Sequence, residues 1–171
     1  MKLRHLFFAC SGVFVMMFSL LLLVVIVFSD EEDGGSGGNL IYGGVSVSQE
    51  VLAHKPMLEK YAREYGIEEY LNVLLAIIQV ESGGTLEDVM QSSESLGLPP
   101  NSLSTEESIK QGCKYFSELL AAAETKGCDL NSVIQSYNYG GGFLDYVTGR
   151  GKKYTFELAE SFARDKSGGK K

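Results

Sequence analysis

The sequence predicts a mainly α-helical domain with one small irregular or β insertion, preceded by a single transmembrane helix. Three observations carry this expectation. Residues 6–28 form an uncharged apolar run, an acidic and Gly/Ser-rich stretch follows it, and apolar residues then recur every three or four positions through most of the remainder.

The apolar run covers 23 positions dominated by Leu, Val, Phe, Ile and Met. As a helix it would reach roughly 35 Å, enough to cross a bilayer core. Lys2 and Arg4 precede it and Asp30, Glu31, Glu32 and Asp33 follow it, so the positive-inside bias places residues 1–5 in the cytoplasm and the rest outside. A cleaved signal peptide is the main alternative. The run is long for one, and Val27-Phe28-Ser29 is not a small-x-small cleavage site. Cys10 lies ahead of most of the apolar core, an order that argues against lipidation. The expected location is therefore the cell membrane, single-pass, with the domain extracytoplasmic. Residues 29–46 read as a flexible stalk, 47–166 as the folded domain and 167–171 as a tail.

Within the domain, Val51, Leu52, Met57, Leu58, Tyr61, Ala62 and Tyr65 keep helical spacing, with Pro56 forcing a kink or restart and Gly66 ending the run. Residues 68–82 carry Leu71, Leu74, Leu75, Ile77, Ile78 and Val80, apolar on nearly all sides. That is the pattern of a buried central helix, closed by Gly83-Gly84. Residues 85–101 lack helical pattern and contain Gly97, Pro99 and Pro100, which predicts loops with a short hairpin among them. Ser104-Thr105-Glu106-Glu107 is a capping box opening a helix to about residue 125. Two more helices fit about 129–137 and 154–164, with Gly140-Gly141-Gly142 and Gly149-Arg150-Gly151 breaking the chain between them.

The chain has 15 basic and 22 acidic residues, and two of the basic ones, Lys2 and Arg4, precede the apolar run. A domain of that sign lacks the Lys/Arg clusters that neutralise phosphates, which excludes nucleic acid as a partner. Cys113 and Cys128 are separated by about four turns of predicted helix, roughly 15 Å, too far to bridge, so both are expected as free thiols. No zinc-ligand spacing occurs and the glycine run at 140–142 lacks the Lys-Ser or Lys-Thr of a phosphate loop, so no metal and no cofactor are expected. His54 and His5 read as residues without a chemical role.

Glu81 is the most informative carboxylate. It ends the most apolar helix and shares a face with Leu74, Ile77 and Ile78. Poor solvation favours the protonated carboxyl, and the negative end of the helix dipole pushes the same way. A group still protonated near neutral pH is what a glycosidic oxygen needs in order to leave. Gln91, Ser92 and Ser93 follow in the irregular segment, and Ser136-Tyr137-Asn138-Tyr139-Gly140 ends a later helix. Those segments supply amides, hydroxyls and rings, the groups that bind sugars. Each taken singly is also an ordinary turn.

Three blocks occur in a familiar order: Ile77-Ile78-Gln79-Val80-Glu81-Ser82-Gly83-Gly84, Met90-Gln91-Ser92-Ser93-Glu94-Ser95, and Tyr137-Asn138-Tyr139-Gly140. Over about residues 47–164 the chain resembles the goose-type lysozyme and lytic transglycosylase superfamily. More narrowly, it resembles the lysozyme-like domain of membrane-anchored cell-wall hydrolases of Gram-positive bacteria and their conjugative elements. The resemblance implies a lysozyme-like fold, Glu81 as catalytic acid, Gln91 and Asn138 as polar residues lining a glycan cleft, and Tyr137 as a cleft aromatic. Asp88-Val89-Met90-Gln91 stands where transglycosylases usually read Gly-Leu-Met-Gln, and Ser136 where Ala is usual, which fits the narrower group.

A hydrolase needs a second carboxylate, as base for water or as nucleophile, whereas a lytic transglycosylase uses the substrate's own hydroxyl. Asp88 is preferred by position, Glu87 and Glu94 compete with it, and a solvated loop acid is the plain alternative. The expected function is thus an N-acetylmuramidase acting on peptidoglycan glycan strands, with catalytic Glu81 and Asp88 and substrate-binding Gln91, Ser92, Ser93, Tyr137, Asn138 and Tyr139. A transglycosylase, or a glycan-binding scaffold component of a secretion or conjugation apparatus, remains the alternative. Relatives of the narrower group often carry a papain-like peptidase domain after this one. The chain given stops at Lys171, so peptide cleavage is not expected of it.

Overall fold

The computed structural model describes residues 40–42 and 45–167. The predicted transmembrane segment 6–28 lies outside the described residues. Among the described residues no helix is long and apolar enough to cross a membrane.

Two short strands, β1 (Leu40–Tyr42) and β2 (Val45–Val47), pair antiparallel with Leu40 opposite Val47. They start within the stretch read as stalk, where the apolar triplets Leu40-Ile41-Tyr42 and Val45-Ser46-Val47 flank Gly43-Gly44. The pair packs on the central helix, and Val47 is completely buried. Among the described residues seven α-helices follow: α1 (Gln49–Ala53), α2 (Lys55–Glu64), α3 (Leu71–Glu81), α4 (Thr105–Lys126), α5 (Leu130–Tyr139), α6 (Gly142–Thr148) and α7 (Phe156–Lys166).

Pro56 restarts the chain rather than kinking it. α1 closes at His54, and Pro56 sits in the first turn of α2, where its missing N–H has no intrahelical partner to lose. A 3-10 turn at Glu68–Tyr70 leads into α3, whose Leu74, Leu75, Ala76, Ile77 and Ile78 are all at most 1% exposed. Burial on successive positions means the helix is covered on every side. The strands, α1 and α2 pack directly against it.

The capping box at the start of α4 forms: Glu107 accepts from the Ser104 amide at 3.0 Å and from its hydroxyl at 2.6 Å. Asp129 caps α5 through the Ser132 amide at 3.0 Å and also accepts from the Tyr154 amide, tying the approach to α7 onto the start of α5. The α6 helix lies between the two glycine clusters whose composition predicts plain breaks. It forms because Phe143, Leu144 and Val147 present one apolar face, and Phe143 and Val147 build a second small core with Ala159 and Phe162.

The insertion at 85–101 contains no hairpin. Its ordered piece is a 3-10 helix at Ser92–Leu96, and the strands among the described residues are β1 and β2. Pro99 and Pro100 withhold the backbone donors that a ladder requires. Cys113 and Cys128 are free, as their predicted separation implies.

Gly112 lets the insertion approach α4. A Cβ there would sit 2.5 Å from Met90 Sδ and 2.9 Å from the Tyr137 hydroxyl oxygen. Gly112→Ala is expected to cost about 1–3 kcal/mol by overpacking, read as a lowered denaturant midpoint with an unchanged m-value.

Candidate active site

The site is built on the last residue of α3. Glu81 reaches the end of the buried helix only half-covered by protein, because Ser82 stops the helix and Gly83 and Gly84 turn the chain through positive φ values of 60° and 77°. Burial pushes the Glu81 carboxyl from the ordinary 4.5 up to about 8, with the negative charges of Glu94 and then Asp88 adding to the rise and no hydrogen bond offsetting it. The group holds its proton through neutral pH.

Asp88 is completely buried and stays there because its oxygens are occupied. Oδ1 accepts from the Ser92 amide at 3.0 Å and the Ser108 hydroxyl at 2.5 Å, and Oδ2 from the Ser93 amide at 3.3 Å. Its carboxylate therefore starts the 3-10 helix Ser92–Leu96 and bonds it to α4. Ser108 extends the network, since its hydroxyl accepts from the Met90 amide at 3.0 Å and its carbonyl accepts from the Ser92 hydroxyl at 2.9 Å. Tyr137 closes it from α5, donating to the Met90 carbonyl at 3.1 Å. Glu81, Asp88 and Tyr137 come together here: burial first, then the Glu81 charge, holds the Tyr137 phenol well above its usual range.

The remaining predicted residues divide. Gln91 is half-exposed in the left-handed region, at φ 47°, with Nε2 donating to the Asp88 carbonyl at 2.9 Å and to Asn101 Oδ1 at 2.8 Å. Asn138 is half-exposed, and its amide nitrogen is buried with no protein hydrogen-bond partner. Ser92 and Ser93, at 2% and 0% exposure, build the wall behind the site rather than its surface. Tyr137, at 8%, is a buried pillar whose ring packs on Tyr115 and Phe116, not an open platform for a sugar. Tyr139 stacks on Phe162 and meets Phe143 edge-on, so its ring belongs to the second core. Glu94 is exposed on the 3-10 helix and is the largest charge felt by Glu81.

Ser108 and Ser48 carry no signal in the sequence, and His54 reads there as a residue without a chemical role. Ser108 is one serine in a long amphipathic helix, and nothing in the spacing marks it as the partner of a carboxylate twenty positions earlier. His54 Nε2 lies 2.9 Å from the Gly84 carbonyl, on the turn that follows Glu81.

Residues 48–171 match the Lysozyme-like family, and the chain belongs to it. Among curated relatives, it is 44% identical over 124 residues to the bifunctional muramidase/DL-endopeptidase CwlT of Bacillus subtilis, covering 72% of this chain and 37% of that one. It is 38% identical over 118 residues to the uncharacterized membrane protein YocA of the same organism, covering 68% and 52%. A crystal structure from Staphylococcus aureus, titled as similar to a lipoprotein of the NLP/P60 family, superposes with a TM-score of 0.73 at 75% identity, covering 74% of this chain and 43% of that one. The chain thus spans about a third to a half of the length of these relatives.

A carboxyl whose native pKa is raised binds its proton more tightly folded than unfolded. Its ionisation therefore opposes folding as pH climbs from 4.5 towards 8, and above that the full penalty is present. Glu81→Gln removes the penalty. The variant should match wild type in stability near pH 4 and exceed it by on the order of 2–4 kcal/mol at pH 9, measured by denaturant unfolding across the pH series.

Proposed function

We propose that this chain is an N-acetylmuramidase that hydrolyses the β-1,4 bond between N-acetylmuramic acid and N-acetylglucosamine in peptidoglycan glycan strands, outside the membrane. The observation that carries this reading is the Glu81 carboxyl, half-buried and still protonated near neutral pH. The muramidase named among the relatives supports it.

In the proposed reaction Glu81 gives its proton to the glycosidic oxygen as the C1–O bond breaks, and water adds at C1. A group that takes the water's proton needs an oxygen free to accept it. Asp88, buried with both oxygens engaged, serves instead as the anchor of the 3-10 helix that carries Glu94. Glu94, exposed and the largest charge acting on Glu81, is the carboxylate we assign to accept that proton. Residues 6–28 would hold the domain at the membrane, in keeping with the relative named as a membrane protein. A role beside a conjugation or secretion apparatus would fit the same placement.

The engaged state of Asp88 also gives specific ground for the second reading, a lytic transglycosylase, which needs no second carboxylate. Product mass separates the two. Digestion of purified cell walls is expected to leave reducing ends carrying the added water, and exclusively 1,6-anhydro ends, one water lighter, would replace hydrolysis by the transglycosylase reading. Glu81→Gln should abolish fragment release. Glu94→Gln should lower it by about 10²-fold with the fold intact, whereas Asp88→Asn should lose activity and stability together. Release that is unaltered in Glu81→Gln would remove Glu81 as the acid, and wild type that binds cell walls but releases no soluble fragments would exclude the enzyme reading.

A further inference from the structure

The turn that follows Glu81 is gripped by a segment the reaction does not use. Contacts from residues 48–54 converge on it and on the helix end before it. The Ser48 amide donates to Gln79 Oε1 at 2.7 Å, two positions before Glu81, and the Ser48 hydroxyl donates to the Gly83 carbonyl at 3.5 Å. Gly84 lies directly on α1: a Cβ there would come within 2.7 Å of Glu50 C and Val51 N, both rigid backbone atoms. His54 then donates from Nε2 to the Gly84 carbonyl at 2.9 Å. Inside the turn, the Ser82 hydroxyl donates to the Val89 carbonyl at 2.7 Å and accepts from the Gly84 amide at 3.0 Å, so its position is passed on to the insertion that bears Asp88.

The end of α3 would otherwise be a weak point. Two consecutive glycines at positive φ give the chain maximal freedom immediately after the acid, and a carboxyl that must be placed to a fraction of an ångström cannot tolerate a fraying helix end. The α1 strap removes that freedom. Of its contacts, the imidazole bond is the only one made by a long, ring-shaped side chain across thirty positions of sequence, and Gly84 accepts no side chain that could replace it.

We propose that His54 is a positioning residue for the glycan reaction, fixing the Gly83-Gly84 turn through its bond to the Gly84 carbonyl and thereby the placement and partial burial of the Glu81 carboxyl. This rests on Glu81 being the acid. It assigns His54 no contact with substrate.

The full chain, in detergent or in membranes, is compared as wild type, His54→Ala and His54→Gln, the last keeping an N–H donor of similar reach. Fragment release from cell walls gives kcat and KM, and carboxyl-carbon NMR follows the ionisation of Glu81. His54→Ala is expected to lower kcat by about tenfold with KM within about twofold, and to let the Glu81 carboxyl titrate at lower pH as water enters the loosened turn. His54→Gln should recover most of both properties, while thermal midpoints stay together. Equal kcat and equal Glu81 titration in wild type and His54→Ala would overturn the proposal, as would a loss that Gln fails to rescue. Wild type that releases no fragments would instead remove the proposed function, and the Glu81 titration in the variants would still decide whether His54 sets the carboxyl's environment.

Discussion

The structure around Glu81 depends on one buried carboxylate. Asp88 gives up solvent entirely, a cost of several kcal/mol unless each oxygen finds donors, and two backbone amides and one hydroxyl supply them. Those donors come from two different parts of the chain, the insertion and α4, so the charge acts as a joint. Removing it would release Ser92 and Ser93 from the start of the 3-10 helix and leave the Ser108 hydroxyl with one acceptor fewer. Glu94 and Gln91, both on this segment, take their positions from it. The same negative charge raises the Glu81 carboxyl, so one residue both shapes the site and helps keep its acid protonated.

Packing makes this arrangement possible. The buried α3 helix delivers Glu81 to a fixed point, the α4 helix offers Ser108 at its first turns, and α5 places Tyr137 to bond the Met90 carbonyl. Gly112 and Gly84 permit two close approaches, the insertion onto α4 and the Gly83-Gly84 turn onto α1. Stability and chemistry pull in opposite directions at Glu81, whose ionisation the fold resists. That conflict is common where a group must hold an unusual protonation state.

Much of this was legible in the residues. The all-round apolar pattern of 71–80 identified a buried helix, and a Glu at its end therefore identified a poorly solvated carboxyl. The capping box and the free cysteines followed from local chemistry and helix geometry. What spacing could not give was which side of a residue faces protein. Tyr137 and Tyr139 look like sugar-binding rings in a motif, yet one is a pillar and the other lies in the second core. Asp88 looks like a loop acid until Ser108, twenty positions later, is seen to reach it. α6 was hidden by glycines at both ends, because its stability comes from packing on α7 and not from propensity. β1 and β2 were hidden by a flanking composition that reads as linker.

The most direct test of the account is the ionisation of Glu81 itself, followed by carboxyl-carbon NMR in selectively labelled protein, with Glu81→Gln to assign the signal. A midpoint near 8 is the predicted result. A midpoint near the ordinary 4.5 would leave Glu81 ionised at neutral pH and contradict its role as the acid.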